Sequence, residues 1–260
     1  MNAMHTPTAI PSLRGKVCLI TGASRGLGVT IARTLAAHGA AVAVHYHQAA
    51  AHAMALCAEL AAQGVAVCAV QADLLDAAGV PPLVDAVATQ LGAIDILVNN
   101  FGPYIDTPLL DLSMEEFDRV MHGNVRATYQ LTQLVGRQMR ARRTGRIINI
   151  AATDYRHRSH SVYGLAKAGV VYLTEAFALE LAPDVPVLAL APDLIADNED
   201  MDQAFTARAI AATPMQRLVT RAEVATLVAM LCSPACDMLT GQTLLVDGGR
   251  SLPRIVEGTT

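Results

Sequence analysis

Two kinds of hydrophobic spacing alternate along the chain, and each predicts a different secondary structure. Short apolar runs bounded by Gly, Pro, Asp or Asn predict strands at 17–20, 41–44, 65–70, 94–98, 146–150, 185–190 and 244–246. Longer stretches, in which apolar residues return every three or four positions, predict helices near 26–39, 49–63, 75–91, 115–142, 161–182 and 221–232. Repeated strand-then-helix order is typical of a parallel sheet covered on both faces. The pattern therefore predicts an α/β fold with a doubly wound parallel sheet of the Rossmann type.

The pattern also predicts the domain organisation. No internal repeat, low-complexity tract or linker divides it, so a single large domain is expected over residues 13–260. Residues 1–12 precede the first predicted strand, and we expect a flexible arm there. The stretch 193–213 is polar and too long for a tight turn, which predicts a lid.

Composition narrows the class of protein. With 53% hydrophobic and 16% charged residues, the chain is expected to fold rather than to stay disordered. The net charge of −4 and the pI near 6.0 argue against a nucleic-acid partner, because the positive footprint that phosphates require is missing. No apolar run approaches the roughly 18 residues of a membrane span, so we expect no membrane partner.

The five cysteines carry no recognisable chemistry. Several lie inside apolar runs, and they form neither a CxxC pair nor a spacing that closes a metal site with histidines. Such cysteines are typical of reduced core residues in a cytoplasmic protein. The sequence predicts neither disulfides nor a metal centre.

A glycine-rich segment, Thr21-Gly22-Ala23-Ser24-Arg25-Gly26-Leu27-Gly28, follows the first predicted strand and opens the first predicted helix. Glycines at this point permit a tight turn and let backbone N–H groups approach a pyrophosphate at the positive end of a helix. Its position between strand and helix favours a dinucleotide site over a plain connecting loop.

Tyr163 and Lys167 stand four residues apart on a predicted helix and therefore share one face. A cation about 4 Å from the phenol contributes about 4 kcal/mol at an effective dielectric constant near 20, which lowers the tyrosine pKa by about three units. The expected result is a tyrosine that titrates near neutral pH. The pairing is unlike a chance surface pair, because the chain contains only one other lysine, Lys16.

Taken together, these motifs resemble those of the short-chain dehydrogenase/reductase family. The resemblance begins near Gly15 and covers nearly the whole chain. It rests on the glycine-rich segment, Asn99-Asn100-Phe101-Gly102, Tyr163-Gly164-Leu165-Ala166-Lys167, Thr240-Gly241-Gln242 and Val246-Asp247-Gly248-Gly249. It implies reduction of a small-molecule carbonyl, with a nicotinamide cofactor as hydride donor and a tyrosine as proton donor.

The resemblance also implies which positions contact the cofactor. Asp73 would meet the adenine, Asn99 and Gly102 would border the adenosine, and Ile195 would approach the nicotinamide carboxamide. The family usually has Gly directly after Pro192, where this chain has Asp193. The full set of expected contacts is Gly22, Ser24, Arg25, Gly26, Leu27, Gly28, His45, Tyr46, His47, Asp73, Leu74, Asn99, Phe101, Gly102, Tyr163, Lys167, Pro192 and Ile195.

The end of the second predicted strand selects between the two nicotinamide cofactors. A carboxylate there would hold the ribose 2′-OH of NAD and repel the 2′-phosphate of NADP. The chain instead reads Val44-His45-Tyr46-His47-Gln48, and Arg25 stands in the glycine-rich segment. This combination predicts NADP(H). The alternative interpretation is that Arg25 and His47 are solvated loop residues without a role in binding.

The catalytic set implied by the resemblance is incomplete. Tyr163 would be the acid, Lys167 its tuning cation, and Asn124 would hold a helix kink and a water molecule. The serine expected after the fifth strand is replaced by Ala151-Ala152, and Thr153 and Asp154 are the first side chains there that form hydrogen bonds.

Two alternatives to a carbonyl reductase follow from the missing serine. The chain could be an NADP-binding relative with little turnover, because losing one oxyanion donor costs about a hundred- to a thousandfold in rate. Alternatively Asp154 takes the serine's role, as in the pteridine reductases of this family, which His45-Tyr46-His47 and Tyr104 also resemble. A pterin-like or C=N substrate would then replace the ketone.

The family resemblance finally implies a homo-oligomer, either a dimer or a tetramer. The predicted helices 115–142 and 161–182 carry more apolar residues than one sheet face is expected to cover.

Overall fold

The computed structural model describes residues 11–157, 160–198 and 201–252. Seven strands form one parallel sheet in the order β3-β2-β1-β4-β5-β6-β7. The strands are β1 (Val17–Ile20), β2 (Ala41–Tyr46), β3 (Val67–Gln71), β4 (Ile96–Asn99), β5 (Arg146–Ile150), β6 (Val187–Pro192) and β7 (Thr243–Val246). The predicted doubly wound α/β fold is confirmed. Most of the expected flexible arm, residues 1–10, lies outside the described residues.

Nine α-helices accompany the sheet in the described ranges. They are α1 (Gly26–Ala37), α2 (Ala50–Ala62), α3 (Val80–Leu91), α4 (Met114–Met121), α5 (Ala127–Arg142), α6 (Asp154–His157), α7 (Val162–Leu181), α8 (Gln203–Ala211) and α9 (Arg221–Leu231). α1, α2 and α9 cover one face of the sheet, and α3, α5 and α7 cover the other. Alternate strand residues supply each core: Cys18 and Ile20 face the first layer, and Val17 and Leu19 face the second.

Three local features differ from the predicted elements. The predicted helix 115–142 is interrupted by a π-helical turn at His122–Arg126, which separates α4 from α5. The predicted helix 75–91 begins only at Val80, after a 3₁₀ turn at Ala77–Gly79. The stretch 193–213, predicted to be a lid, contains the helix α8, which was not among the predicted helices and whose N-cap Asp202 accepts a hydrogen bond from the Phe205 N–H at 2.7 Å. Residues 199–200 of that stretch lie outside the described residues.

Among the described residues, helix α7 alone is long and apolar enough, by length and composition, to cross a membrane. It has 20 residues and a hydropathy of 1.2, which meets the requirements of length and composition. Yet α7 packs against α5, β5 and β6, and it carries the charged residue Lys167 on its buried side. This is how the core helix of a folded domain behaves.

The strand order creates a crevice at one edge of the sheet. β1 pairs with β2 on one side and with β4 on the other, so the chain changes direction across the sheet at this point. Ligands of open α/β sheets bind beyond the carboxyl ends of the strands at such a switch point. The glycine-rich loop after β1 and the Asn99–Gly102 segment after β4 both lie at this edge.

Candidate active site

The glycine-rich loop gives the N-terminus of α1 the properties of an anion site. Gly26 has φ +56°, and a Cβ added there would meet nothing within 4 Å, so open space lies in front of it. Arg25 occupies the N-cap without a side-chain capping bond, and the first turn of α1 has no acidic residue. Backbone N–H groups at an uncapped helix N-terminus favour a phosphate group. The loop therefore fits the pyrophosphate of a dinucleotide.

Side chains lock this loop to the end of β4. The Thr21 hydroxyl accepts hydrogen bonds from the N–H groups of Asn100 and Phe101, both at 2.9 Å. The Asn100 side chain donates to the carbonyl of Thr21 at 2.9 Å. Gly28 completes the arrangement, because a Cβ there would overlap the carbonyl oxygen of Gly22. Thr21 and Asn100 were not among the predicted site residues, although both stand inside the quoted motifs.

Several predicted cofactor residues have buried side chains. Ser24, Tyr46, Leu74 and Pro192 are buried, as is His45, whose two ring nitrogens are both used within the protein. The Asn99 amide donates to Thr132 at 3.1 Å and to Asn149 at 2.8 Å, so it holds β4 against β5 and α5.

The groups that remain accessible on the adenosine side are Arg25, His47, Asp73 and Phe101. Arg25 is exposed and, within the part of the chain that the structure describes, forms no side-chain hydrogen bond or ion pair. The His47 side chain is 42% exposed, and its Nε2 lies 3.9 Å from the Asp73 carboxylate. Asp73 also accepts from the Leu75 N–H at 2.9 Å. A cation and an imidazole beside an anion-binding loop suit a ribose phosphate.

The residues of the predicted catalytic set lie together at the same edge of the sheet. Lys167 is buried, and its Nζ lies 5.4 Å from the centroid of the Tyr163 ring and donates to the Ile150 carbonyl at 2.8 Å. Asn124 sits in the π-helical turn, and its Nδ2 donates to the carbonyls of Pro103 and Val120, both at 3.0 Å. The Asn124 Oδ1 is buried and has no hydrogen-bond partner among the described residues.

The pKa of Tyr163 shifts in the direction opposite to the predicted one. Burial, followed by the nearby Asp154 carboxylate and Tyr104, raises this pKa well above its ordinary value. Burial also lowers the pKa of Lys167 to about 8, against an opposing contribution from Asp154. The simple argument from i, i+4 spacing omitted the desolvation of both groups, which here outweighs their mutual attraction.

The structure separates the two candidates for the serine's role. Thr153 is fully buried, and its hydroxyl donates to Asp193 Oδ1 at 3.0 Å. Asp154, at the start of α6, is half-buried, and its charge raises the pKa values of Tyr104, Tyr163 and Lys167. Asp154 is therefore the carboxylate that lies beside the tyrosine.

The loop after β6 closes the site from the other side. Ile195 forms a parallel bridge with Val219, and Asp193 links Thr153 to Arg250, whose Nη1 lies 3.4 Å away. Aspartate at the usual glycine position thus ties the C-terminal turn to the loop that carries Asp154. The sequence marked Asp193 only as a departure from the glycine usual in the family. Its bonds to Thr153 and Arg250 could not be predicted, because both residues are distant in sequence.

Tyr104 also borders the site, and its ring meets that of Tyr163 edge-on with 5.0 Å between centroids.

Over the described ranges, no three His, Cys, Asp or Glu residues are grouped closely enough to hold a metal ion. All five cysteines are free.

Comparisons with known proteins agree with this geometry. The family described as enoyl-(acyl carrier protein) reductase matches residues 22–251. A 3-oxoacyl-[acyl-carrier-protein] reductase of Synechocystis sp. is 38% identical over 243 residues, which covers 92% of this chain and 98% of that protein.

Solved structures of similar proteins have the same fold. A gluconate 5-dehydrogenase from Burkholderia cenocepacia, in complex with NADP and tartrate, has a TM-score of 0.87 and 31% identity, covering 95% of this chain and all of that one. A blue fluorescent protein from a metagenomic library, in complex with NADPH, has a TM-score of 0.85 and 32% identity, covering 92% and 99%. The chain belongs to the short-chain dehydrogenase/reductase family.

Proposed function

We propose that this protein reduces a carbonyl group of a small molecule with NADPH, using Tyr163 as the proton donor. The observation that carries the proposal is the convergence of an anion-binding glycine loop with the half-buried Tyr163 and the buried Lys167 and Asn124 at one edge of the sheet. NADPH, when bound, supplies the hydride. The similar proteins that were solved with NADP or NADPH support this choice of cofactor.

The proton chemistry follows from the surroundings of Tyr163. Because burial raises its pKa, the phenol stays protonated at neutral pH and holds the proton that reduction requires. Lys167 has three N–H donors, of which one is used by the Ile150 carbonyl. The protonated amine stabilises the phenolate that remains after proton transfer.

Asn124 supplies the route by which the proton is replaced. Its buried Oδ1 is an acceptor without a partner among the described residues, and such groups are normally satisfied by ordered water. A water molecule bound there connects Lys167 with solvent and returns a proton to Tyr163. Oxidation of NADPH at 340 nm, measured with a panel of ketones that includes acetoacetyl-coenzyme A, tests the reaction. Saturable binding of NADPH without oxidation by any substrate would favour a binding protein instead.

Asp154 favours a second candidate function, the reduction of a C=N bond. A carboxylate accepts hydrogen bonds and stabilises a protonated nitrogen better than a developing alkoxide. The positions that would supply the usual serine hydroxyl offer no free donor, since Ala151 and Ala152 have none and Thr153 donates to Asp193. A dihydropteridine and a cyclic imine therefore belong in the substrate panel. Turnover of these compounds, with none of the ketones, would replace the carbonyl proposal.

The cofactor proposal leads to a quantitative expectation. NADPH should bind at least tenfold more tightly than NADH, because Arg25 and His47 are available to a 2′-phosphate and no carboxylate replaces them at the end of β2. Arg25→Ala should remove most of the difference in affinity between the two cofactors. The control is Arg33→Ala, which should preserve that difference, because Arg33 lies farther along the same helix and is paired with Glu59 at 2.6 Å. Fluorescence titration of both cofactors measures the ratio. Equal affinities in the wild-type protein would contradict the proposal.

We also propose that the protein is a homo-oligomer joined through α5 and α7. Leu179 on α7 is 83% exposed, and Tyr129 on α5 is 42% exposed, next to Phe177 with 5.7 Å between ring centroids. Unpaired apolar groups on two adjacent helices are typical of an interface. Light scattering at micromolar concentration should give a multiple of the 27.4 kDa chain mass. Leu179→Glu should lower that mass, and Leu110→Glu, fully exposed in a loop, should not. A monomeric wild-type protein would contradict the proposal.

A further inference from the structure

His45 is buried at the carboxyl end of β2, with 1% of its surface exposed. Its Nδ1 accepts a hydrogen bond from the Gly22 N–H at 3.0 Å, and its Nε2 lies 3.2 Å from the Ala72 carbonyl oxygen. A carbonyl oxygen only accepts, so Nε2 must carry the proton and Nδ1 must be bare. The ring is therefore a neutral imidazole in one defined tautomer.

This ring joins three segments that are distant in sequence. Its Nδ1 holds the glycine-rich loop through Gly22, and its Nε2 holds the turn that leads from Ala72 to Asp73. Its face meets the edge of Phe101, 6.4 Å away between centroids at an interplanar angle of 80°. The His45 carbonyl also accepts from the Ala23 N–H at 2.9 Å. Each of the three segments carries groups that the proposed cofactor would touch.

Gly22 depends on this bond more than an ordinary loop residue would. It has φ +64°, a conformation that glycine tolerates but that nothing in the chain's own preference enforces. Its N–H lies beside a buried ring and would lose its partner if the acceptor were removed. We propose that His45 is a positioning residue that fixes the glycine-rich loop for the dinucleotide, an inference that rests on the proposed function.

The charge state of the ring agrees with this role. Burial is the main cause that lowers the pKa of His45 to about 4, with His47 adding to the decrease and the Ala72 carbonyl and Asp73 opposing it. Near neutral pH the ring is therefore uncharged and keeps a bare Nδ1 for Gly22. A protonated ring would direct an N–H at the Gly22 N–H.

A series of three variants separates the two hydrogen bonds. His45→Asn places an amide oxygen near the Nδ1 position and can keep the Gly22 bond, whereas His45→Gln reaches only toward Ala72, and His45→Phe loses both. We expect NADPH to bind to His45→Phe and His45→Gln at least tenfold more weakly than to the wild type, and to His45→Asn within threefold. The value of kcat at saturating NADPH should stay within twofold throughout. His52→Phe, at an exposed position on α2, is the control.

The measurements are fluorescence titration of NADPH and nitrogen-15 NMR of labelled histidine, in which the His45 signal should show a protonated Nε2 and a bare Nδ1. Affinity of His45→Phe within twofold of the wild type would overturn the inference. Equal losses of NADPH affinity in His45→Asn and His45→Gln would also overturn it, because a merely structural role does not distinguish the Gly22 bond from the Ala72 bond. This comparison remains decisive even if His45→Phe does not fold. A wild-type protein and His52→Phe control that both fail to bind NADPH would instead overturn the proposed function.

Discussion

Tyr163→Phe is expected to abolish turnover while leaving the affinity for NADPH within a few-fold of the wild type. A positioned general acid contributes about a hundred- to ten-thousandfold in rate, and the variant loses only the hydroxyl that carries the proton. Steady-state rates and NADPH titration on the same preparation separate the two effects.

The control for this change is Tyr172→Phe, on the same helix at a position that is 71% exposed. It should keep the wild-type rate. Lys167→Ala, in contrast, should lose both turnover and cofactor affinity, because a buried amine is removed from beside Tyr163 and Gly102. If Tyr163→Phe retained more than about a tenth of the wild-type rate, the acid would have to be sought elsewhere. Tyr155, half-buried in α6, would be the next candidate.

If Asp154 takes the serine's role, Asp154→Ala is expected to lower turnover at least a hundredfold, and adding Ala152→Ser should not restore it. The expectation follows from the position of Asp154 beside Tyr163, where Thr153 is already committed to Asp193. Loss of a group that contacts the reacting atom costs about 3 to 4 kcal/mol, which corresponds to a hundred- to a thousandfold in rate. Asp118→Ala, exposed on α4, is the control.

The pH–rate profile provides a second readout. The Asp154 charge raises the pKa of Lys167, which burial has lowered to about 8. The amine is protonated below that value, so the rate should fall as the pH rises through it, and Asp154→Asn should move this alkaline limb to lower pH. A silent Asp154→Ala, together with faster ketone reduction by Ala152→Ser, would show that Asp154 is only a loop residue. The wild type would then be a weak reductase or a cofactor-binding protein.

The fold could be predicted largely from local pattern, because a strand buried on both faces reads as an apolar run. The π-helical turn at His122–Arg126 could not, since the same residues continue the helical spacing of α4 and α5. The turn is associated with a tertiary contact, because the Asn124 amide donates to the Val120 carbonyl within the helix and to the Pro103 carbonyl outside it. The resemblance implied a kink there but gave no geometry.

In the candidate site, too, motifs in the sequence predicted some features, whereas others depend on tertiary contacts. The glycine loop, Tyr163 and Lys167 were proposed from motifs and spacing, and Asp154 from the family resemblance. His45 was predicted to contact the cofactor because it stands where a ribose group is selected, yet its side chain is buried and bonds the segments that follow β1 and β3. The pKa of Tyr163 was predicted to fall, because spacing gives the distance between two groups but not the burial of each.

The burial of Lys167 has a practical consequence for chemical labelling. Of the two lysines in these 260 residues, Lys16 is exposed and Lys167 is 3% exposed. An amine-reactive dye applied to the folded protein should therefore modify Lys16 and the α-amino group while the Lys167 amine is protected. The protein can be attached to a surface or a fluorophore through a position next to β1, on the side of the sheet away from its active site.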